Sequence, residues 1–197
     1  GILLTALVGY LILGADSALP WVIAPMGASA VLLFAVPASP LAQPWAMLGG
    51  NLSAALIGVA CAHGFKDPLM AGAVAVSAAV AVMFALRCIH PPAGAVALTA
   101  VVGGPGIHAL GYGFAVYPVL VNSASLLLLA ILYNRATGRE YPQRHAVISS
   151  GQPADTAPVP TQRLVEEDFE AVLDEYDQVL DVSREDLRDL FLRVEQH

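Results

Sequence analysis

The sequence predicts an all-α membrane protein. We expect a helical bundle of four long transmembrane helices plus two short broken or re-entrant helices in an internal repeat, followed by a small cytoplasmic helical tail. Three observations favour this fold: charge is almost absent from the first two thirds of the chain, apolar stretches of membrane-spanning length occur there, and two shorter apolar stretches begin at a proline. The pattern divides the chain into a transmembrane domain at 1–134, a basic segment and flexible linker at 135–162, and an amphipathic helical tail at 163–197.

Charged side chains are distributed very unevenly. The other 21 charged residues follow residue 134, and the first 134 residues hold only four: Asp16, Lys66, Asp67 and Arg87. About a quarter of the residues of a soluble domain are charged, so residues 1–134 are expected to face the lipid bilayer. The net charge of −7 arises mainly in the tail, and no basic patch suits a nucleic-acid backbone.

The apolar stretches have two lengths. Four of them reach or approach the roughly 20 residues that a helix needs to cross the hydrocarbon core; they are about 1–19, 45–63, 68–88 and 112–134. Two shorter stretches of 11–13 residues, about 24–36 and 92–102, lie between them and end in Pro- and Gly-rich turns. Short, interrupted segments at matching positions of two halves are typical of discontinuous helices at a transport site.

The two short stretches resemble each other. "PMGASA" from Pro25 and "PAGAVA" from Pro92 share the pattern P-x-G-A-x-A and lie 67 residues apart. The flanking segments repeat in the order long, short, long, which predicts repeats at about 1–63 and 68–134. A chance match of small residues in an Ala-rich chain is the alternative.

The starts of the short helices are candidates for an anion site. Proline at the first helical position costs no hydrogen bond, and Gly27 and Gly94 allow a ligand to come close. A helix start carries partial positive charge and N–H donors that suit an anion. We therefore expect the next N–H groups to be free. The alternative is that these prolines only break helices and that the small residues only pack.

Other small residues are interpreted as helix-packing surfaces. They recur at four-residue spacing, which lets helix backbones come close in lipid. The two stripes are Gly50, Ala54, Gly58 and Ala62, and Ala71, Ala75 and Ala79.

Polar residues inside the apolar region are functional candidates, because an intramembrane charge is costly. Arg87 either serves the site or extends from a helix end towards the headgroups. His90 precedes Pro91, so it either caps the break or binds or protonates a ligand. Two asparagines inside long helices either bond across helices or line a pathway. The predicted substrate-binding residues are Pro25, Gly27, Ala28, Ser29, Asn51, Arg87, His90, Pro91, Pro92, Gly94, Ala95 and Asn122.

The sequence contains no pattern of an enzyme. No nucleophile–base arrangement, metal-ligand spacing or nucleotide loop is present, so we expect no catalytic residue, no metal and no cofactor. Cys61 and Cys88 lie within apolar runs and are interpreted as reduced buried thiols.

Three segments carry a resemblance to a known family. "HPPAGAVAL" at 90–98, "APMGASAVLLFAVPASPLAQP" at 24–44 and "GGN" at 49–51 resemble the HPP family of integral membrane proteins, over about residues 1–134. Members are usually described as having four transmembrane helices, and some cyanobacterial and chloroplast members are nitrite transporters. The resemblance implies nitrite or a similar small anion as the substrate. The tail segment "EEDFEAVLDEYDQVLDVSREDLRDLFLRVEQH" is similar to the linker that precedes a pair of CBS domains in many bacterial members.

The tail itself predicts two amphipathic helices. Apolar residues from Phe169 to Leu180 recur at three and four positions, and Ser183 with Asp186 forms a variant of the capping box. Such helices bury little alone, so we expect a homo-oligomer, a dimer or larger. A monomeric helical hairpin is the alternative.

Arginines directly after the last apolar stretch place the tail in the cytoplasm of a protein of the bacterial inner membrane. Two topologies fit. Four crossings with two re-entrant segments put Lys66 inside, and six crossings with inverted repeats put it outside. The expected function is a transporter or channel for a small inorganic anion, most simply nitrite, bound near the N-termini of the two short helices. The alternative is a membrane sensor or scaffold that signals through its cytoplasmic tail.

Overall fold

The computed structural model describes residues 1–14 and 20–143, and every regular element in that part of the chain is a helix. The predicted linker and the two amphipathic tail helices lie outside the described residues. A 3-10 turn lies at Pro40–Ala42, and a π-helical turn lies at Ala115–Leu120. The α-helices are α1 (Ile2–Leu13), α2 (Pro25–Ala35), α3 (Pro44–Gly64), α4 (Pro68–Leu86), α5 (Pro92–Val102), α6 (Pro105–Leu110) and α7 (Val121–Ala136).

Prolines set most of the helix starts. Each helix from α2 to α6 begins at a proline, because the missing N–H would have no partner within the helix at that position. The carboxylate of Asp67 also caps α4 by accepting the Met70 N–H at 2.8 Å. The two predicted short helices are confirmed: α2 and α5 have 11 residues each and begin at Pro25 and Pro92.

Three helices of the described chain are long and apolar enough to cross a membrane: Pro44–Gly64, Pro68–Leu86 and Ala115–Ala136. They correspond to three of the four predicted long spans. The fourth, predicted over 1–19, is not confirmed, because α1 has only 12 residues and stops at Gly14. Gly14 has φ +80°, a conformation that glycine adopts without a Cβ clash. Residues 15–19 lie outside the described part of the chain.

The last span is not the continuous helix that the sequence predicts. Tyr117 has extended backbone angles (φ −128°, ψ 130°), and Pro118 follows it inside the π-helical turn. Proline removes an N–H and crowds the preceding turn, so a helix that contains one bends or widens locally.

Hydrogen bonds define one end of the bundle, here called the Pro44 end. The Tyr141 hydroxyl donates to the Ala42 carbonyl at 2.7 Å. The Gln143 N–H donates to Oε1 of Gln43 at 2.9 Å. The chain that leaves α7 therefore returns to the start of α3.

The opposite end of the bundle, here called the Gly64 end, lies where α3 stops. The ring of Tyr112, which precedes the last span, stacks on His63 with centroids 6.1 Å apart. A helix of 21 residues is about 30 Å long. Lys66 comes two residues after the end of α3, so it lies at the opposite end from residues 141–143.

Helices α3 and α5 pack closely through glycine. A Cβ added at Gly58 would lie 2.6 Å from the Ala97 carbonyl oxygen, and one added at Gly50 would lie 2.8 Å from Cβ of His90. The predicted stripes are confirmed as packing surface, with Ala62 half-buried and the other members buried. These contacts show that α5 runs along α3 from the level of Gly50 towards the Gly64 end.

Helix α2 runs in the opposite direction. Trp21 and Ile23, which precede α2, pair with Asn122 at the second position of α7. The last turn of α2 reaches the Pro44 end. There the Arg139 guanidinium donates to the Phe34 carbonyl at 3.0 Å. The two short helices are therefore antiparallel, and they contact each other near their N-terminal turns.

Candidate functional site

His90 lies at the contact between the two short helices. It stands between the end of α4 and the start of α5 and is completely buried. Its Nδ1 lies 2.9 Å from the carbonyl oxygen of Leu41, and its Nε2 lies 2.9 Å from Oγ of Ser29, one turn inside α2. The ring thereby joins α5 to α2 and to the turn before α3.

The partners of His90 fix where its proton sits. A carbonyl oxygen only accepts, so Nδ1 carries a hydrogen and donates it to Leu41. In the neutral ring Nε2 is then an acceptor, and the Ser29 hydroxyl donates to it. If the ring gains a second proton, Nε2 becomes a donor, and the Ser29 hydroxyl can turn to the Pro25 carbonyl, 3.3 Å away. The pair can therefore pass between two hydrogen-bond arrangements without moving a helix.

Asn51 links two long helices. From α3, its Nδ2 donates to Oγ of Ser123 on α7 at 3.0 Å. Both side chains are buried, and Oδ1 of Asn51 has no hydrogen-bond partner in the described chain. The sequence predicts that Asn51 either bonds across helices or lines a pathway, and the structure shows the bond across helices.

Asn122 instead holds the backbone that leads into α2. Its Oδ1 accepts from the N–H of Ile23 at 3.2 Å, and its Nδ2 donates to the carbonyl of Trp21 at 3.1 Å. A buried side-chain amide thus pairs with two backbone groups that lie outside any helix, where they would otherwise lack partners.

The prediction of free N–H groups at the helix starts is wrong for the residues next to the prolines. In α2, the N–H groups of Met26 and Gly27 donate to carbonyls three residues back, at 3.0 Å each. In α5, those of Ala93 and Gly94 do the same, at 2.9 and 3.2 Å. The residues before each proline form a tight turn that continues into the helix and supplies these acceptors.

The glycines of the short helices have free space beside them. A Cβ added at Gly27 would meet nothing within 4 Å, and one added at Gly94 would meet only Val76, at 3.9 Å. Gly27, Ala28 and Ala95 are exposed, and Gly94 is half-buried. In contrast to Gly50 and Gly58, these positions are not required to be small by their neighbours.

The structure does not bring every predicted residue to this site. Pro25, Ser29 and His90 lie together. Pro92, two residues after His90, is buried, and Pro91 between them is exposed. Arg87 is exposed at the end of α4, in a left-handed conformation with φ +53°. This location fits the alternative in which Arg87 belongs to a helix end.

Residues 1–142 match the family model described as HPP, transmembrane region. The chain belongs to the HPP family. The match extends from α1 to the segment that returns to the Pro44 end, so the HPP region includes both short helices and the residues around His90.

Two transmembrane proteins of Dictyostelium discoideum are similar to this HPP chain. One is 36% identical over 147 residues, which cover 72% of the chain and 51% of that protein. The other is 35% identical over 147 residues, which cover 72% of the chain and 47% of that protein. The HPP chain thus spans about half the length of the curated relatives it matches. No solved structure matches it.

The sequence analysis missed two residues that bond to predicted site residues: Ser123 bonds to Asn51, and Leu41 bonds to His90. Ser123 follows Asn122 directly, and a second polar residue within a long apolar stretch is a signal that could have found it. Leu41 contributes only its backbone carbonyl, for which the sequence carries no signal. No group of three or more His, Cys, Asp or Glu side chains comes together within residues 1–14 and 20–143.

Proposed function

We propose that this HPP chain is the transport region of a carrier or channel for a small inorganic anion, with nitrite as the first candidate. The choice of nitrite comes from the family resemblance. The class of substrate comes from the residues: the N-terminal turns of α2 and α5 meet inside the bundle, and a helix N-terminus favours negative charge.

The open space beside Gly27 and Gly94 carries the proposal. Glycine weakens a helix by roughly 1 kcal/mol relative to alanine, so an unpacked glycine has a cost without a packing benefit. At Gly50 and Gly58, close helix contact offsets that cost. Gly27 and Gly94 make no such close contact. We infer that the space at these two equivalent positions is kept for a passing ligand.

Ser29 and His90 supply the polar chemistry of the proposed site. Because the N–H groups next to the prolines are already bonded, the helix dipoles and these two side chains are the remaining sources of attraction for an anion. A proton on His90 turns Nε2 from an acceptor into a donor, which favours the anion. The proposed transport is therefore linked to protons.

An inverted repeat is part of this proposal. We propose that α1 to α3 and α4 to α7 are two halves of three crossings each, in which the segments before α2 and α5 complete the crossings of the short helices. Two facts support it: α2 and α5 have equal lengths and run in opposite directions, and each packs on the long helix of the other half, α2 on α7 and α5 on α3. Binding sites between such halves lie near the bilayer midplane.

The orientation and assembly of the protein are also proposals. Arg135 and Arg139 follow the last span, and positive residues favour the cytoplasmic side. We therefore assign the Pro44 end to the cytoplasm, with the bacterial inner membrane as the expected location. Assembly into a homo-oligomer through the amphipathic tail follows from its sequence alone.

Nitrite uptake into proteoliposomes, with and without a pH gradient, tests the proposed function. We expect saturable uptake that an inward proton gradient increases. Gly27→Leu and Gly94→Leu should each lower the rate at least about tenfold, because each side chain fills the space left for the ligand. Val31→Leu is the matched control, since Val31 lies on α2 with 63% of its surface exposed, and its uptake should equal that of the wild type.

One outcome of the uptake experiment would contradict the proposed function. If correctly folded wild-type protein passes no nitrite, nitrate or formate above the leak of empty liposomes, the transport proposal is wrong. The alternative function, a sensor or scaffold that acts through the tail, would then be preferred.

A further inference from the structure

A separate pocket lies at the Gly64 end of the bundle, away from His90 and Ser29. It has a volume of about 160 Å³ and is lined by residues of α3, α5 and α6. Its walls are mostly apolar, with two histidines, His63 from α3 and His108 from α6. Neither histidine has a part in the proposed transport site.

Backbone contacts fix the tautomers of both rings. Nδ1 of His63 lies 2.8 Å from the carbonyl oxygen of Val59, and Nε2 of His108 lies 2.8 Å from that of Val101. Each of these nitrogens must carry the hydrogen, because the carbonyl can only accept. In the neutral rings, Nε2 of His63 and Nδ1 of His108 therefore hold lone pairs. Metal-binding histidines are usually held in this way, with the second nitrogen donating to a backbone carbonyl.

The helix ends around the pocket favour a cation over an anion. His63 lies in the last turn of α3, Ala100 in the last turn of α5, and His108 in the last turn of α6. The C-terminal end of a helix carries partial negative charge because the peptide dipoles point the same way along the axis. Three such ends meet at this pocket, so a positively charged ligand is electrostatically favoured there.

We propose that this pocket binds a divalent transition-metal ion that prefers imidazole, such as Zn²⁺ or Cu²⁺, through Nε2 of His63 and Nδ1 of His108. Imidazole suits these metals, and affinity at a nitrogen site is highest for Cu²⁺. No third His, Cys, Asp or Glu joins the pair in the described part of the chain, so water supplies the other ligands. With two protein ligands, binding is reversible and weaker than at a structural four-ligand site.

Metal titration of the full chain tests this proposal. The protein is purified without a polyhistidine tag and titrated with Cu²⁺ and Zn²⁺, using calorimetry for affinity and electron paramagnetic resonance of Cu²⁺ for nitrogen coupling. We expect one ion per chain and coupling to two imidazole nitrogens. His63→Ala and His108→Ala should each raise the dissociation constant at least about tenfold and remove one nitrogen from the spectrum.

The double variant His145→Ala/His197→Ala is the matched control, because it removes two histidines and keeps the pocket pair. It should bind metal as the wild type does. Unchanged affinity in His63→Ala and His108→Ala, or loss of binding in the control, would overturn the proposal. Size-exclusion chromatography of each variant separates loss of the ligand from loss of the fold. Nitrite uptake plays no part in this readout, so the outcome is independent of the proposed transport function.

Discussion

At the scale of single residues, His90 satisfies both ring nitrogens with two neighbours that come from distant parts of the chain. Leu41 accepts from one nitrogen, and Ser29 pairs with the other. Inside a membrane no water replaces a lost partner at low cost. The stability of this region therefore depends on Ser29, which the sequence predicts as a site residue but not as the partner of His90.

Ser29→Ala is expected to lower the free energy of unfolding by about 1–3 kcal/mol, because it leaves Nε2 of His90 buried without a partner. Denaturation in mixed micelles measures the change. Thr99→Val serves as the control, since the Thr99 hydroxyl bonds only to its own helix at an exposed position. An equal effect of both substitutions would contradict the importance of the Ser29–His90 contact.

Gly58→Ala is expected to destabilise the protein by about 1–3 kcal/mol through overpacking, since the new Cβ would lie 2.6 Å from the Ala97 carbonyl oxygen. Gly64→Ala, in the same helix, is the control, because its Cβ would meet nothing within 4 Å. The same denaturation experiment should show Gly64→Ala to be neutral or slightly stabilising. A destabilised Gly64→Ala variant together with an unaffected Gly58→Ala variant would refute the described packing of α3 on α5.

Four-residue spacing predicts which small residues pack, and the structure confirms both stripes. The spacing does not distinguish Gly58, which contacts α5 closely, from Gly27, which has open space beside it. That distinction depends on what another helix places opposite each glycine, which a single sequence does not contain. For the same reason, the sequence predicts Arg87 and His90 as one site, whereas the structure separates an exposed end from a buried contact.

At the scale of helices, starts are predicted better than ends and bends. A proline fixes the first position of α2 and of α5 by local chemistry, so both starts agree with the sequence. The end of α1 at Gly14 and the irregular backbone at Tyr117 depend on turns whose geometry the apolar pattern does not encode. An apolar stretch shows that a segment can lie in lipid, but not that it is one continuous helix.

Asn122→Ala is expected to loosen the segment that leads into α2, because the N–H of Ile23 and the carbonyl of Trp21 lose their partners. Hydrogen exchange measures this directly. The protection of the Ile23 amide should fall by an amount equivalent to about 1–3 kcal/mol. In Asn51→Ala the local protection at Ile23 should be retained, since Asn51 contacts Ser123 instead. Equal loss in both variants would indicate a general rather than a local effect.

At the scale of the whole molecule, the contacts favour one of the two topologies that the sequence leaves open. The chain after α7 returns to the Pro44 end, and Lys66 lies at the other end of α3. The two must then be on opposite sides of a membrane that α3 crosses. This is the arrangement expected from the six crossings and inverted halves proposed above, in which Lys66 and the end of the last span lie on opposite sides.

Cysteine labelling in oriented membrane vesicles tests the topology. Lys66→Cys and Gln143→Cys should react with a membrane-impermeant maleimide from opposite sides. The unsubstituted protein is the control, because Cys61 and Cys88 are buried and should label weakly. Labelling of both introduced cysteines from the same side would support four crossings instead.

The sequence alone predicts the membrane class, most of the long helices and the two short ones. It does not predict the topology, because that depends on pairs about 100 residues apart in the chain, such as Tyr141 with Ala42. The sequence predicts that Ser29 and His90 belong to the candidate site. It does not predict that they pair with each other, which only the folded chain shows.

The segment after α7 also has a structural consequence. Arg139 forms a hydrogen bond to the last turn of α2, and Tyr141 and Gln143 form hydrogen bonds to the connection between α2 and α3. Burial raises the pKa of the Tyr141 phenol, so its hydroxyl keeps the proton that it donates to Ala42 at physiological pH. Residues 139–143 therefore connect the end of the last span to α2, the helix that carries Ser29. The segment that closes the Pro44 end is thus bonded to the same helix that supplies one of the two partners of His90.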